Sequence, residues 1–259
     1  MKKNILFGTV ALIAGSLLAA DSNSKDEVKS AAKKLADAGS YSWKSSSQNA
    51  GGGGGGGGRG RGGFGGGPRE GKISKDGVAS ISMTAGQNTT EAFVKGDKVV
   101  VKNREGVWQT LAEMTANAGQ DQGQGRRGGR GGGPAAGLRN FKAPAAEAED
   151  LLAKTKELKK AEGVYSGDLT EDGAKSLLMP GGGRGRGGAN AAAPTDVKGS
   201  VKFWVKDGLL SKYEYNVKGK RTVGQDATEI QIDRTTTVEI KDVGTATVTV
   251  PDEVKKKLS

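Results

Sequence analysis

Between Val201 and Val250 the chain alternates apolar and polar residues almost without interruption, and a run of that kind admits few folds. Val201, Phe203 and Val205 alternate with Lys202, Trp204 and Lys206, and Asp207-Gly208 then turns the chain. Leu209, Tyr213, Tyr215 and Val217 oppose Lys212, Glu214, Asn216 and Lys218. Ile230, Ile232, Val238 and Ile240 oppose Glu229, Gln231, Asp233, Glu239 and Lys241; after Gly244, Ala246, Val248 and Val250 oppose Thr245, Thr247 and Thr249. Because successive side chains of a strand point to opposite faces, the pattern predicts four consecutive strands in one antiparallel sheet with a wet face and an apolar face. Pro251 then opens a short helix over Asp252 to Leu258.

The preceding half supplies more strands and the helices to cover them. Ser24-Lys25-Asp26-Glu27 reads as a capping box, followed by Val28, Ala31, Ala32, Leu35 and Ala38 on one helical face and Gly39 as the stop. Ser40 to Ser47 reads as a polar edge strand with Tyr41 and Trp43 on one side, and Ala79, Ile81, Met83 and Ala85 as a half-buried strand. Val94, the turn Lys95-Gly96-Asp97, the run Lys98 to Lys102 and the turn at Glu105-Gly106 continue a meander. Helices are expected over Trp108 to Ala116, over Ala145 to Lys160, and from a Thr170 cap to Pro180. Strands, gathered helices and strands again argue for α+β rather than a parallel α/β sheet.

Three segments interrupt this pattern: 49–70, 117–139 and 180–197 hold most of the 45 glycines and carry arginine without lysine, whereas the remaining chain is rich in lysine and carries only Arg104, Arg221 and Arg234. Glycine cannot recoup its ordering entropy, so these segments are expected to be disordered, low-complexity loop inserts in a single domain spanning 21–259. Their glycine spacing matches phosphate loops only by density, with no strand-to-helix context. Arginine–glycine repeats do contact polyanions through guanidinium groups. Arg59, Arg61, Arg126, Arg127, Arg130, Arg184 and Arg186 are therefore candidate contacts to anionic envelope polymers, with nucleic acid disfavoured because only Phe64 is interleaved for stacking.

The first 20 residues combine Lys2-Lys3, an apolar stretch from Ile5 to Leu18 and the small exit Ala19-Ala20, the pattern of a cleaved secretory signal. Leu18-Ala19-Ala20-Asp21 is shaped like a bacterial lipobox with Asp21 where the lipidated cysteine would stand, so an unanchored periplasmic or secreted protein is expected. The sequence has no Cys and no His. That excludes disulfides, thiolate or imidazole metal sites, and any Ser-His or Cys-His catalytic arrangement. No carboxylate pair stands in a recognisable motif, and the Lys-Asp-Gly turns lack calcium-loop spacing. Neither catalytic nor metal residues nor a cofactor are expected.

The order helix, meander, helical middle, further strands resembles the bacterial envelope lipid-carrier superfamily, which includes the periplasmic lipoprotein carrier and mycobacterial glycolipid-binding lipoproteins. The resemblance rests on the strand, acidic turn, strand unit from Gly199 to Tyr213 with Trp204 near its turn, on Thr237 to Thr245, and on the ending Val250-Pro-Asp-Glu-Val-Lys-Lys-Lys-Leu258. The missing lipobox cysteine and the arginine–glycine inserts depart from it. It implies an open, strongly curved antiparallel sheet, a half-barrel wrapped around a few helices, with an apolar hollow that holds an acyl chain or a lipidated ligand without catalysis. Ile81, Met83, Phe203, Val205, Tyr213, Tyr215, Ile230 and Ile232 are the residues expected to line it. The alternative is an envelope interaction protein whose sheet is only a scaffold for the arginine-rich loops.

Overall fold

A computed structural model describes residues 21–50, 68–85, 87–103, 105–120, 134–178, 193–223 and 228–259. The chain begins with α1 (Asp21–Asp37) and runs through β1 (Tyr41–Asn49), β2 (Arg69–Ile73), β3 (Ala79–Ala85), β4 (Asn88–Lys95), β5 (Lys98–Lys102) and β6 (Trp108–Thr110). A helical stretch follows, with α2 (Leu111–Gln120), a 3-10 turn over Pro134–Asn140 and α3 (Pro144–Ala153). Then come β7 (Lys159–Ala161), β8 (Val164–Asp168), α4 (Glu171–Leu178), β9 (Thr195–Lys206), β10 (Leu209–Val223), β11 (Thr228–Lys241) and α5 (Asp252–Leu258). All eleven strands form one sheet in the order β6-β5-β4-β3-β2-β1-β11-β10-β9-β8-β7. Every pairing is antiparallel, and the sheet stays open at β6 and β7, as the expected α+β half-barrel requires.

The β9–β10 hairpin turns at Asp207-Gly208, both at positive φ (53° and 73°), the Asp-Gly geometry that matches strand twist. Register assigns the faces. Tyr213 stands opposite Phe203 and Val238, Trp43 opposite Ile240 and Gly71, and Ile81 opposite Gly71 and Ala92. This inner face carries the main core with α1, α3 and α4. α1 packs along α3 and over β9 and β10, α4 lies on β9 and β10, and the 3-10 turn approaches β4 and β5. Ala31 and Ala32 of α1 and Ala145 and Ala148 of α3 are all buried, so their small side chains serve close helix approach. A second core lies on the outer face, where Val254 and Leu258 of α5 cover Val78, Phe93, Val100 and Trp108.

Several expectations are corrected. β1 is a central strand rather than an edge, seated between β2 and β11 and joining the two halves of the sheet. Its serines reflect a solvated outer side and a hydroxyl-lined inner side. The helix predicted to Lys160 ends at Ala153: Thr155 is buried, donates its hydroxyl to the Leu151 carbonyl (2.8 Å) and bridges to Leu169, which sends the chain into the β7–β8 hairpin. Trp108 is a strand residue, and α2 starts after it on a capping box in which the Glu113 amide donates to Thr110 Oγ1 (3.2 Å) and the Thr110 amide to Glu113 Oε2 (2.7 Å). The predicted Ser24 capping box does not form, since α1 starts at Asp21 and Glu27 instead accepts from Lys160 (2.6 Å) and Tyr165. The Thr170 cap of α4 does form, accepting from the Gly173 amide at 3.1 Å.

The fourth predicted C-terminal strand, Ala246 to Val250, is no strand. Both edges of β11 are already paired, with β1 and β10, so the segment cannot pair with the strand it follows and instead lays Val248 and Val250 against the outer core. At the borders of the predicted inserts, Arg69 and Glu70 belong to β2, Leu138 is core, and Thr195 to Val197 belong to β9. Residues 1–20 and the arginines Arg59, Arg61, Arg126, Arg127, Arg130, Arg184 and Arg186 lie outside the described residues.

Candidate functional site

The inner face is crossed by rows of side chains that the register sets side by side. One row reads Met83, Arg69, Ser45, Val238, Tyr213, Phe203, Tyr165 from β3 to β8. The next reads Ser47, Thr236, Tyr215, Val201. All eight residues predicted to line a hollow share this face but split by burial. Phe203 and Tyr213 (0% exposed), Ile81 (2%) and Met83 (9%) are packed into the core, whereas Val205, Tyr215, Ile230 and Ile232 are half-buried. Phe203 and Tyr213 are in ring contact at 6.4 Å, while Ile81 and Met83 stand four strands away from Tyr213 across the sheet. Tyr215 and Ile232 lie along β10 and β11, with Ile230 beyond them.

Helix cover is uneven. Among the described residues α1 and α4 lie closest to β9 and β10 and the 3-10 turn to β4 and β5, and no helix backbone comes comparably close to β1, β2, β3 or β11. Side chains bridge part of that span: Trp43 stacks on Phe141 (5.8 Å, 23°), and Tyr41 contacts Trp43 at 6.1 Å.

Over the tyrosine rows stands Glu147, from the first turns of α3. Tyr213 donates to its Oε2 at 2.5 Å and Tyr215 to its Oε1 at 3.4 Å. Burial pushes the Glu147 carboxyl up, against the pull of Tyr213 and the Arg69 charge. Burial also pushes Tyr213 well above the usual phenol range, and Tyr41, whose oxygen accepts from the Ala145 amide (3.4 Å), up to about 12. Tyr215 is pushed up to about 12 by burial and then by Glu147, while Thr236, Arg234 and Arg69 pull it back. Ser47 Oγ and Thr236 Oγ1 are hydrogen-bonded at 3.0 Å, and Arg234 Nη2 donates to the Leu177 carbonyl of α4 at 2.7 Å.

The face expected to be apolar therefore has a polar patch at its middle. Glu147, Arg69, Ser47, Thr236 and Arg234 are the residues that sequence reasoning missed. One signal was present: Arg234 and Thr236 occupy even positions between Ile232 and Val238, the same parity as the apolar face of β11. Two surface depressions lie elsewhere, one of about 460 Å³ on the outer face over β1 to β3, bordered by Lys44, Glu70, Lys72 and Lys241, and one of about 390 Å³ beside Thr170 and Glu171. Charged and hydroxyl residues stand around both. Among the described residues no group of three or more acidic side chains is placed to hold a metal ion, and no helix is long and apolar enough to cross a membrane.

No family model matches the chain, and no curated protein matches it. Among solved structures the chain is similar to the lipoprotein LppX of Mycobacterium tuberculosis, with 11% identity and a TM-score of 0.44 over 90% of this chain and 100% of that one. It is also similar to LprF from Mycobacterium bovis, with 12% identity and a TM-score of 0.42 over 89% of this chain and 97% of that one. At such identities the likeness concerns the fold alone.

Proposed function

We propose that this is an exported, non-enzymatic binding protein that holds an acyl chain or another apolar ligand between the inner face of the sheet and the helices. The observation that carries this reading is the half-buried apolar trail Tyr215, Ile232, Ile230 on the inner face of β10 and β11, in which Tyr215 and Ile232 pack against the rim of the core and Ile230 lies beyond it. Apolar side chains left half-covered on the helix side of a sheet are where a ligand tail gains burial, at about 0.8 kcal/mol per methylene. The fully buried Phe203 and Tyr213 serve as the wall behind it.

Lipid extraction of the protein purified from its native envelope, read by mass spectrometry, tests the reading directly. A matched pair of variants tests the place. Ile232→Asp on the inner face should abolish uptake of a fluorescent fatty acid without unfolding the protein, and Gln231→Asp on the outer face should leave uptake intact. Absence of both co-purifying lipid and probe uptake sinks the proposal.

A second reading has its own observation. The 51–67 segment leaves β1 after Ala50 and rejoins at Pro68, and β9 begins at Thr195 opposite Lys220, so both places lie at the same end of the sheet. Arginine–glycine segments joined there would concentrate guanidinium groups at one pole, suited to an anionic polymer. Loss of heparin retention at low salt on deleting 51–67 and 179–192, with the melting temperature kept, would favour it over the first.

A further inference from the structure

Across the middle of the sheet arginine and lysine are sorted by face, whereas at the β7 edge Lys160 stands opposite Tyr165 on the inner side with Glu27 as its partner (2.6 Å). In β1, β2, β9, β10 and β11 every lysine falls on the outer side by register, as Lys44, Lys212 and Lys241 do, and every arginine (Arg69, Arg221, Arg234) falls on the inner side. Arg69 stands opposite Ser45 and Met83, Arg234 opposite Asn49 and Val217, and Arg221 opposite Ile230. No residue of these strands that faces inward is acidic. Chance would mix the two cations, and solvation alone would put both outside. A guanidinium is more weakly hydrated than an ammonium and offers five donors in a planar fork that fits carboxylate or phosphate, so it is the cation suited to a half-buried face.

The arginines also converge. By register Arg69 and Arg234 stand in the rows on either side of the Ser47, Thr236, Tyr215 row, in which Ser47 and Thr236 are hydrogen-bonded. Arg234 spends one nitrogen on the Leu177 carbonyl, which holds its fork in place and leaves further donors. Glu147 accepts from Tyr213 at 2.5 Å and from Tyr215 at 3.4 Å, so Tyr215 turns its hydroxyl to an incoming anion by giving up the longer of these two bonds. Arg69, Arg234 and Tyr215 are each half-buried, so a ligand can reach them while water is partly excluded.

Resting on the apolar-ligand reading above, we infer that Arg69, Arg234 and Tyr215, with Ser47 and Thr236, receive the anionic head of an amphiphile, a carboxylate or a phosphate monoester, whose tail follows Ile232 and Ile230. The outer lysines take no part, since they lie on the other side of the sheet.

The test compares three pyrene-labelled probes on the full-length protein: a fatty acid, its methyl ester and a lysophosphatidic acid. Wild type should bind both anionic probes on the order of ten-fold or more tighter than the ester, the span of one charge-assisted hydrogen bond, and the difference should shrink with added salt. The preferred anion distinguishes a free acid from a phosphorylated head. Arg69→Gln and Arg234→Gln should each erase most of the preference by weakening the anionic probes far more than the ester, with Arg234→Gln also lowering the melting temperature modestly through the lost Leu177 bond, and Lys44→Gln should alter nothing. Arg69→Lys, which keeps the charge without the fork, should retain part of the preference. Equal wild-type affinity for acid and ester, or a preference that survives both arginine substitutions, overturns the inference and leaves the apolar-ligand reading standing. Failure to bind any of the probes overturns both.

Discussion

Gly71 offers a sharp test of the inner wall. It is paired with Trp43 on one side and Ile81 on the other, and a Cβ added there would lie 2.2, 2.4 and 2.6 Å from three atoms of the Trp43 ring. Ordinary contact begins near 3.4 Å, so the indole would have to withdraw by about 1.2 Å, the difference from that shortest approach. It has little room: Trp43 is 6% exposed and stacked on Phe141. Forcing an extra carbon into a filled site costs about 1–3 kcal/mol, and a lost aromatic stack about 0.5–1.5 kcal/mol. Gly71→Ala should therefore destabilise by about 2–4 kcal/mol, lowering the melting temperature by roughly 5–15 °C for a domain of this size. Circular dichroism melts would measure it, with a red shift of tryptophan emission reporting the displaced indole. Ser80→Ala, on the outer side of the next strand, should stay within about 0.5 kcal/mol. In a Trp43→Leu background the penalty should largely vanish, giving a coupling energy that isolates the clash. An unchanged melt and emission for Gly71→Ala would mean that β1 and β2 are not paired in this register.

Four further outcomes follow from the same geometry. Because burial raises the folded Glu147 pKa above the ordinary value of 4.5, the folded state holds a proton that the unfolded chain has released, so stability is lost as pH rises from about 4.5 through the folded value. Glu147→Gln removes that loss, and its melting advantage over wild type should grow from acid to neutral pH; a pH-independent difference would show that the carboxyl is not desolvated. Truncation after Val250 removes Val254 and Leu258 from the outer core and should cost about 3–6 kcal/mol with a rise in dye binding at exposed Phe93 and Trp108, while leaving inner-face probe affinity unchanged. Replacing 51–67 by a linker of about six residues, enough to run back along β1 from Ala50 and turn to Pro68, should leave stability within roughly 1 kcal/mol, since β1 and β2 are already antiparallel neighbours with Arg69 opposite Ser45. Tyr213→Phe removes the 2.5 Å donor from Glu147 and should cost about 1–3 kcal/mol, more at neutral than at acid pH.

What was legible in the sequence was whatever had a long, uniform period. β9, β10 and β11 are legible with the correct faces over 201–206, 212–218 and 229–241, where alternation is unbroken. Two details are not: a bulge after Leu210 buries Leu210 and sets Leu209 opposite the outer Lys206, and Gly219, which suggests a turn, is a point of close approach to Leu178 inside a strand that runs on to Val223. β7, with three residues, is too short to show a period, and Thr155, Lys156 and Leu158 continue a helical spacing that only the Thr155 hydroxyl on Leu151 and the bridge to Leu169 interrupt. Ala246 to Val250 alternates as well as any strand. Alternation reports two environments, however, and here the second is the outer core rather than a ladder, because β11 has no edge left to offer. β1 looked like an edge because its serines were weighed for hydrophobicity alone, yet Ser47 meets Thr236 and Ser45 neighbours Arg69 in the interior of the sheet.

The polar patch was hidden for a related reason. Tyr213 and Tyr215 were read by their rings, and the rings do join the core, but a buried phenol must also place its hydroxyl, and both hydroxyls reach Glu147. That carboxylate lies on a helix separated from β10 by more than fifty residues, so no local period could announce it. Outside, the same strands carry a hydrated ladder, with Lys218 on Asp233 (3.0 Å), Lys44 on Glu70 (2.8 Å) and Lys220 between Asp196 and Glu229 (3.3 and 3.5 Å), pairs that contribute little to stability when exposed. An exposed ladder works with either cation. The half-buried middle of the inner face favours arginine, because an ammonium there would give up more hydration for fewer fixed hydrogen bonds than a guanidinium does; Lys160, on the inner side at the β7 edge, has the Glu27 carboxylate beside it. The division of arginine from lysine across the central strands thus follows from what each face must do there, and it is the inner face, with its apolar trail leading from a charged, hydroxyl-lined patch, that has the polarity of an amphiphile.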